Sequence, residues 1–438
     1  MNHKLFILVA LLFLQGCLAT VPEIEEPQQP TTWTQNSESQ LQLVDLSYLE
    51  SWWKKFDDPV LNELVAVALE NSPDRLIASA RINQARGILR TTRSSLFPQV
   101  DVNASASRED TVVNGLFADE PVNFYDARFD ASYELDIFGE NRSRTSATEY
   151  SVQASEYEYD DVSLTLIGDV SRTYLRLREF QKQVSIAEKN LKLQQETLEL
   201  VENQFAAGEI AALDVERADN LVNTTKASIP EFERQALNAQ LQLVTLLGIL
   251  PEELEYYINY DANIPGGDVR AVLLSPTTVL LQRPDVRAAF YRLNERASIS
   301  AAESASIFPT FDIGGFYGIV DGTGIDSTTI WGIFINGAFS LIDFGRIEGR
   351  IDTAKADQVE AFEVYRRTIL NALTEVEIAM IDYAKINNQR VSLYNAYRNA
   401  ENASELSVQL FKEGEISFLD VLDAQRTVNE SDSELVTA

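Results

Sequence analysis

The sequence FAAGEIAALDV at residues 205–215 returns as FKEGEISFLDV at residues 411–421. The two copies are identical at seven of eleven positions and lie 206 residues apart (411 minus 205). Each follows a long stretch without proline, and each contains a glycine that lets the backbone turn and an aspartate that suits the start of a returning helix. The pattern predicts the tip of a long helical hairpin, built twice by internal duplication.

Three further dipeptides extend the duplication beyond the tips. They are Pro-Asp at 73 and 284, Phe-Pro at 97 and 308, and Phe-Gly at 138 and 344. We therefore interpret residues 51–250 as a first repeat and residues 251–438 as a second. The returning helix of the first repeat extends to Gly248, whose counterpart would be position 454 (248 plus 206). We therefore expect the last helix to be truncated by about 16 residues (454 minus 438).

The composition excludes several classes of function. The formal net charge of −31 repels nucleic acid. Cys17 and His3 are the only residues of their types, which excludes a disulfide framework, a Cys/His metal site and a Ser-His-Asp or Cys-His catalytic group. We therefore predict a protein that is not an enzyme, with no cofactor, no metal ion and no nucleic-acid partner. The acidity fits either a solvated, self-repelling surface or an acidic conduit.

The N-terminus has the pattern of an exported lipoprotein. Residues 1–16 are interpreted as a signal peptide, because Lys4 precedes an apolar run (residues 5–13) that is too short to cross a bilayer. Cys17 then stands where a bacterial lipobox has its acylated cysteine, and an ordinary signal peptide with a chance cysteine is the alternative. Residues 17–50 are rich in proline and polar side chains, so we predict a lipid-anchored, extended linker.

Each repeat also contains a segment in which polar and apolar residues alternate, clearly in the first repeat and more weakly in the second. The period of two predicts transmembrane β-hairpins at about residues 99–136 and 309–341. Four strands cannot close a barrel, and lipid tolerates no open sheet edge, so several chains must share one barrel. Two chains would give eight strands with little lumen. Three would give twelve strands and an open channel, and we predict three.

Long helices are predicted from about Thr145 to Phe205 and from about Ile347 to Phe411. At 1.5 Å per residue, each would be about 90 Å long. The first helix carries two apolar stripes, which let it contact neighbours on both sides and close into a tube. An ordinary coiled-coil stalk is the alternative. The predicted fold class is therefore mainly α, with a transmembrane β-hairpin in each of two repeats.

In this order, the features resemble the TolC family of outer-membrane efflux channels, in its NodT/OprM-like lipoprotein branch. The resemblance rests on Cys17, Ser51-Trp52-Trp53, the Phe-Pro and Phe-Gly pairs, and the two G-x-x-x-x-[LF]-D tips. It implies a homotrimer whose twelve-stranded β-barrel in the Gram-negative outer membrane is continuous with a long periplasmic α-helical barrel. It also implies a passive exit duct for small molecules, anchored in outer membrane lipid and coupled to a periplasmic adaptor (membrane fusion protein) and an inner-membrane pump.

In that family the hairpin tips form the periplasmic aperture and meet the adaptor. By motif, the adaptor-contact residues are Gly208, Leu213, Gly414 and Leu419, and the aperture residues are Asp214, Asp420 and Asp423. Asp420 and Asp423 are three residues apart and share a helix face, so a trimer would bring six carboxylates to one opening. For Asp214, capping of the returning helix is an equally weighted alternative.

Two other classes of protein are compatible with parts of the pattern. One is a trimeric coiled-coil structural or adhesive protein anchored in the outer membrane. The other is a soluble periplasmic coiled-coil adaptor. An adhesin usually has one β-unit at its C-terminus, and an adaptor needs no alternating strands of membrane length. The efflux channel accounts for hairpins inside both repeats, so it is the function that we predict.

Overall fold

The computed structural model describes residues 33, 46–109, 112–113, 116–117, 121–258, 263–266, 275–323 and 325–438. The predicted signal peptide (residues 1–16), Cys17 and most of the predicted linker (residues 17–50) lie outside the described residues. A 3₁₀ segment at Leu46–Phe56 precedes the helices and strands. In chain order these are α1 Pro59–Asn71, α2 Pro73–Ser94, β1 Gln99–Glu109, β2 Val112–Val113, β3 Leu116–Phe117, β4 Val122–Glu134, α3 Glu140–Ala206, α4 Ala212–Leu247, α5 Pro251–Leu254, α6 Pro276–Gln282, α7 Pro284–Ala305, β5 Thr310–Gly322, β6 Ile325–Ala338, α8 Arg346–Lys412 and α9 Phe418–Thr437.

The described part of the chain is mostly helical, with a small antiparallel sheet, which confirms this part of the predicted fold class. Its residues fall into two compact units. The first, here the sheet unit, comprises Ala78–Tyr159 and Leu281–Leu370. The second, here the tip unit, comprises the described residues of Gln29–Ile77, Asp160–Leu280 and Asn371–Ala438. The two long helices, α3 and α8, contribute residues to both units.

The sheet unit contains one four-stranded antiparallel sheet in the order β1-β4-β5-β6. The hairpins of the two repeats meet at β4 and β5, where Glu134 lies opposite Asp312 and Arg128 opposite Gly318. Within the described residues, β1 pairs only with β4 and β6 only with β5, so each has one open edge. β2 and β3 form a separate two-stranded ladder.

The two 67-residue helices, α3 and α8, each begin at a capped turn that follows a strand. Asp136 accepts hydrogen bonds from the backbone N–H groups of Asn141 (3.1 Å) and Arg142 (2.9 Å). Asp343 accepts from those of Gly345 (3.1 Å) and Ile347 (2.9 Å), and these donors lower the pKa of its carboxyl group. The two aspartates therefore satisfy free N–H groups at the start of each long helix.

The tip unit has its main core where α1 packs against α3 and α4. Leu61 and Leu64 of α1, Leu177 of α3 and Leu243 of α4 are all fully buried there. A series of side-chain hydrogen bonds crosses this core. The Tyr174 hydroxyl donates to Asp58 (2.8 Å), and Arg178 Nε donates to the Tyr174 hydroxyl oxygen (3.0 Å). Burial is the largest cause that raises the pKa of Tyr174 to about 12. Asp58 also caps α1, so this chain of hydrogen bonds fixes α1 to the long helix.

Candidate functional site at the helical hairpin tips

The two tips have the same backbone geometry. At the first, Gly208 has φ +80°, and the N–H of Glu209 donates to Gln204 O at 3.0 Å. At the second, Gly414 has φ +78°, and the N–H of Glu415 donates to Leu410 O at 2.9 Å. This is the Schellman pattern, in which a left-handed glycine closes a helix end, and a Cβ at either position would impose the strain of that conformation. The repeated glycines therefore set the turn in both hairpins.

A shared hydrophobic cluster, here called the tip cluster, joins the two tips. It consists of Val201, Ala218 and Leu221 of the first hairpin and Phe411, Phe418, Val421 and Leu422 of the second, all buried. The rings of Phe411 and Phe418 pack with their centroids 5.6 Å apart. The second hairpin thus supplies both aromatic side chains of the cluster.

The four predicted adaptor-contact residues are accessible in the chain. Leu213 is 56% exposed and Leu419 is 51% exposed, although Leu419 directly follows Phe418 of the tip cluster. Gly208 and Gly414 are exposed at the turns, with open space around them. Each tip therefore presents a bare turn followed by a protruding leucine.

The three predicted aperture carboxylates have different surroundings. Asp214 Oδ1 accepts from Arg217 at 3.2 Å, an ion pair one helical turn apart. Asp420 Oδ2 accepts from the backbone N–H of Ser417 at 3.0 Å and from its hydroxyl at 2.7 Å, which forms a capping box at the start of α9. Asp423 is exposed on the next turn of α9. The structure thus shows an ion pair at Asp214 and a helix cap at Asp420.

Sequence reasoning did not identify the polar contacts that hold α9 against α3. Gln425 donates to the Thr197 hydroxyl at 3.0 Å, and both side chains are buried. Gln183 donates to the backbone oxygen of Ser433 at 3.2 Å. The spacing of seven residues between Phe418 and Gln425 could have indicated the Gln425 contact, because it places a polar side chain on the buried stripe of α9.

The described residues include no helix that is long and apolar enough to cross a membrane. In the same part of the chain, no group of three or more His, Cys, Asp or Glu side chains is arranged to hold a metal ion.

Paired long helical hairpins and a sheet of two β-hairpins define the fold of outer-membrane efflux channels. A solved structure of the outer-membrane channel OprN matches this fold with a TM-score of 0.89 and 30% sequence identity, over 96% of this chain and 95% of that one. The model of the family "Outer membrane efflux protein" matches residues 64–249 and 276–438. The chain belongs to this family, as the resemblance to the TolC family predicted.

The curated relatives are named for the same location. The pyoverdine export outer membrane protein OpmQ of Pseudomonas putida is 28% identical over 97% of this chain and 91% of its own length. The "Probable outer membrane lipoprotein SilC" of Salmonella typhimurium is 26% identical over 97% of this chain and 92% of its own length. The chain is thus an efflux channel rather than an enzyme, located in the outer membrane with a large periplasmic part.

Proposed function

We propose that three copies of this chain close one twelve-stranded barrel, and that this homotrimer is the passive exit duct of a tripartite export system. The observation that supports the proposal is that β1 and β6, the outer strands of the described sheet, each have one open edge. A lipid environment leaves unpaired backbone groups unsatisfied, so each edge needs a strand from a neighbouring copy. Three four-stranded sheets give twelve strands, enough for an open lumen.

The two faces of the sheet support a location in the membrane. On one face, here the apolar face, Trp331, Ile333 and Ile335 are 71%, 79% and 70% exposed. Opposite it, here the polar face, Asp130 lies beside Asp101, its register partner on β1. An apolar surface of this extent in water would promote aggregation, whereas lipid would cover it in a barrel. The polar face would then line the lumen.

The partners proposed for the tips are a periplasmic adaptor and, through it, an inner-membrane pump. Exposed Leu213 and Leu419 offer apolar contacts, with Gly208 and Gly414 allowing close approach of an adaptor backbone. The helices of the three copies would form a tube in the periplasm, and acylated Cys17 would anchor each chain in the outer membrane. The relatives named for export and for a lipoprotein support this assignment.

The aperture proposal becomes more specific with the contacts at the tips. Arg217 forms an ion pair that neutralises Asp214, and Asp420 accepts a hydrogen bond from the Ser417 hydroxyl in the helix cap. We infer that Asp423, which is exposed one turn further along α9 and is not part of the cap, is the carboxylate most available to cations at the opening. A ring of three such carboxylates would hold cations at the constriction.

Single-channel recording of the purified protein in planar bilayers tests the duct. We expect a stable conductance together with a trimeric mass in detergent. A coiled-coil structural or adhesive protein would give no conductance, and a protein that is monomeric in detergent would contradict the shared barrel. Cysteine pairs placed on β1 and β6 report edge pairing directly, provided that Cys17 is replaced first. In a barrel these pairs cross-link between copies and trap a trimer.

A further inference from the structure

The polar face of the sheet carries three aromatic rings, Phe124, Phe316 and Phe334, and the last two lie on the neighbouring strands β5 and β6. Register pairing places Phe316 of β5 between Asp130 of β4 and Gly332 of β6, so Phe316 shares a face with that carboxylate. Phe334, which is two residues after Gly332 on β6, lies opposite Gly314 of β5 on the same face. Directly paired residues point to one side of a sheet. Both rings would therefore face the lumen of the proposed barrel, where lipid cannot account for an apolar side chain.

Each ring lies over a glycine of the neighbouring strand. A Cβ added at Gly332 would be 2.7 Å from Phe316 Cε1, and one added at Gly314 would collide with the ring of Phe334. The two pairs are reciprocal, because each strand supplies one ring and one glycine. A ring seated on bare backbone has little freedom and projects little into a lumen, while its outer side stays open. Phe334 accordingly remains 43% exposed.

The surroundings of the rings are acidic. On the polar face of the described strands the carboxylates are Asp101, Glu109, Asp126, Asp130, Glu134 and Asp312. In the same strands the cation of this face is Arg128, which lies 3.0 Å from Asp130 and 3.9 Å from Asp126. Negative charge therefore exceeds positive charge beside the rings, and an anion that passes them would be repelled.

We propose that Phe316 and Phe334 form a weak contact site on the lumen wall for organic cations that carry an apolar body. The proposal rests on the barrel described under Proposed function. An aromatic face attracts a cation and also contacts apolar groups, and the neighbouring carboxylates raise the local concentration of cations. A duct requires contacts weak enough for release, and two partly exposed rings meet that condition. Small inorganic ions gain little from such a surface.

The alternative is that the rings only cover glycine backbone and stabilise the hairpin. The chain offers a matched control for this role. Phe311 lies opposite Gly337 on the other, apolar face of the same two strands, and a Cβ at Gly337 would be 3.2 Å from Phe311 Cε1. Its packing is of the same kind, but in the barrel it would face lipid. Removing Phe311 therefore tests ring packing without changing the lumen.

The test is block of single-channel conductance by tetraphenylphosphonium, an aromatic cation, compared with tetraethylammonium and with the anion tetraphenylborate. We expect tetraphenylphosphonium to block at the lowest concentration. In the double variant Phe316→Leu/Phe334→Leu, the half-blocking concentration should rise by about tenfold, the scale of one or two exposed cation–π contacts. It should not change in Phe311→Leu. Block by tetraethylammonium should be weak and the same in all variants.

Two results would overturn the proposal: equal block of the wild type and the double variant, or an equal loss of block in Phe311→Leu. If the double variant does not assemble, Phe334→Leu alone and Phe334→Tyr replace it. The leucine variant should lose part of the block, whereas the tyrosine variant should keep it. A wild-type protein that conducts no ions contradicts the proposed duct. One that conducts ions and is not blocked by tetraphenylphosphonium contradicts only the aromatic site.

Discussion

Phe205 and Phe411 occupy the same position in the repeated undecapeptide, yet their environments differ. Phe411 is 4% exposed within the tip cluster, whereas Phe205 is 46% exposed. The two repeats differ in burial again one helical turn after each glycine. Phe418 is buried, whereas its counterpart Ala212 (418 minus 206) is exposed. The duplication thus repeats the backbone turn but not the packing. The second tip supplies both aromatic side chains of the core that the tips share, and the first leaves its aromatic ring half-exposed.

The largest expected effect separates the two phenylalanines. Phe411→Ala leaves a cavity in the tip cluster and should lower the free energy of tip opening by about 3 kcal/mol. Phe205→Ala removes a half-exposed ring and should cost about 1 kcal/mol or less. Hydrogen exchange of peptides that cover both tips measures the opening. Similar effects of the two substitutions would show that the tips are energetically equivalent.

The features that the two tips share could be predicted from the sequence, but the difference in packing between them could not. The turns and long helices follow from local patterns, so the repeated glycines and the proline-free segments were sufficient to predict them. Burial of Phe411 rather than Phe205 depends on how two hairpins pack together, which a repeated sequence does not encode. Similarly, Asp343-Phe344-Gly345 resembles a nucleotide-site motif by coincidence, and Asp343 in fact caps a helix. The equivalent cap of the first repeat, Asp136, is displaced by one position, so comparison of the two repeats does not align the caps.

The next effect concerns the caps. Ser417→Ala removes the side-chain partner of Asp420 and should destabilise the second tip by about 1 kcal/mol. The first tip has Ala211 at the equivalent N-cap, with extended backbone and no side-chain cap. Ala211→Ser should therefore stabilise the first tip by a similar amount. Hydrogen exchange at each tip provides the measurement. A destabilised first tip in Ala211→Ser would mean that the ion pair at Asp214 prevents formation of a capping box.

A smaller effect is expected at that ion pair. Asp214 and Arg217 are partly exposed, with 22% and 38% of their side-chain surfaces accessible. Pairs of this kind contribute about 0.5 kcal/mol or less, and salt screens them. A double-mutant cycle of Asp214→Ala and Arg217→Ala, measured at low and high salt, isolates the coupling. A coupling well above 1 kcal/mol would show that solvent is excluded around the pair, as burial in the proposed trimer would cause.

Among these substitutions, Asp423→Ala should have the smallest effect on stability and the clearest effect on ion conduction. Asp423 occupies the position of Arg217 in the other repeat (423 minus 206), so the second tip adds a negative charge where the first adds a positive one. Asp423 is exposed and is not part of the cap, and Asp423→Ala should leave tip opening unchanged within about 0.5 kcal/mol. In planar bilayers the same variant should lose cation selectivity and block by divalent cations, because three carboxylates leave the proposed aperture.

The double variant Asp214→Ala/Arg217→Ala is the matched control, because it removes an ion pair whose two charges cancel and leaves the net charge of the opening unchanged. Its selectivity should remain close to that of the wild type. If the double variant and Asp423→Ala changed selectivity equally, selectivity would not depend on the net charge that the second tip adds to the opening. If neither did, the constriction would lie elsewhere in the duct. Only a larger effect at Asp423 agrees with an aperture whose charge comes from the second tip.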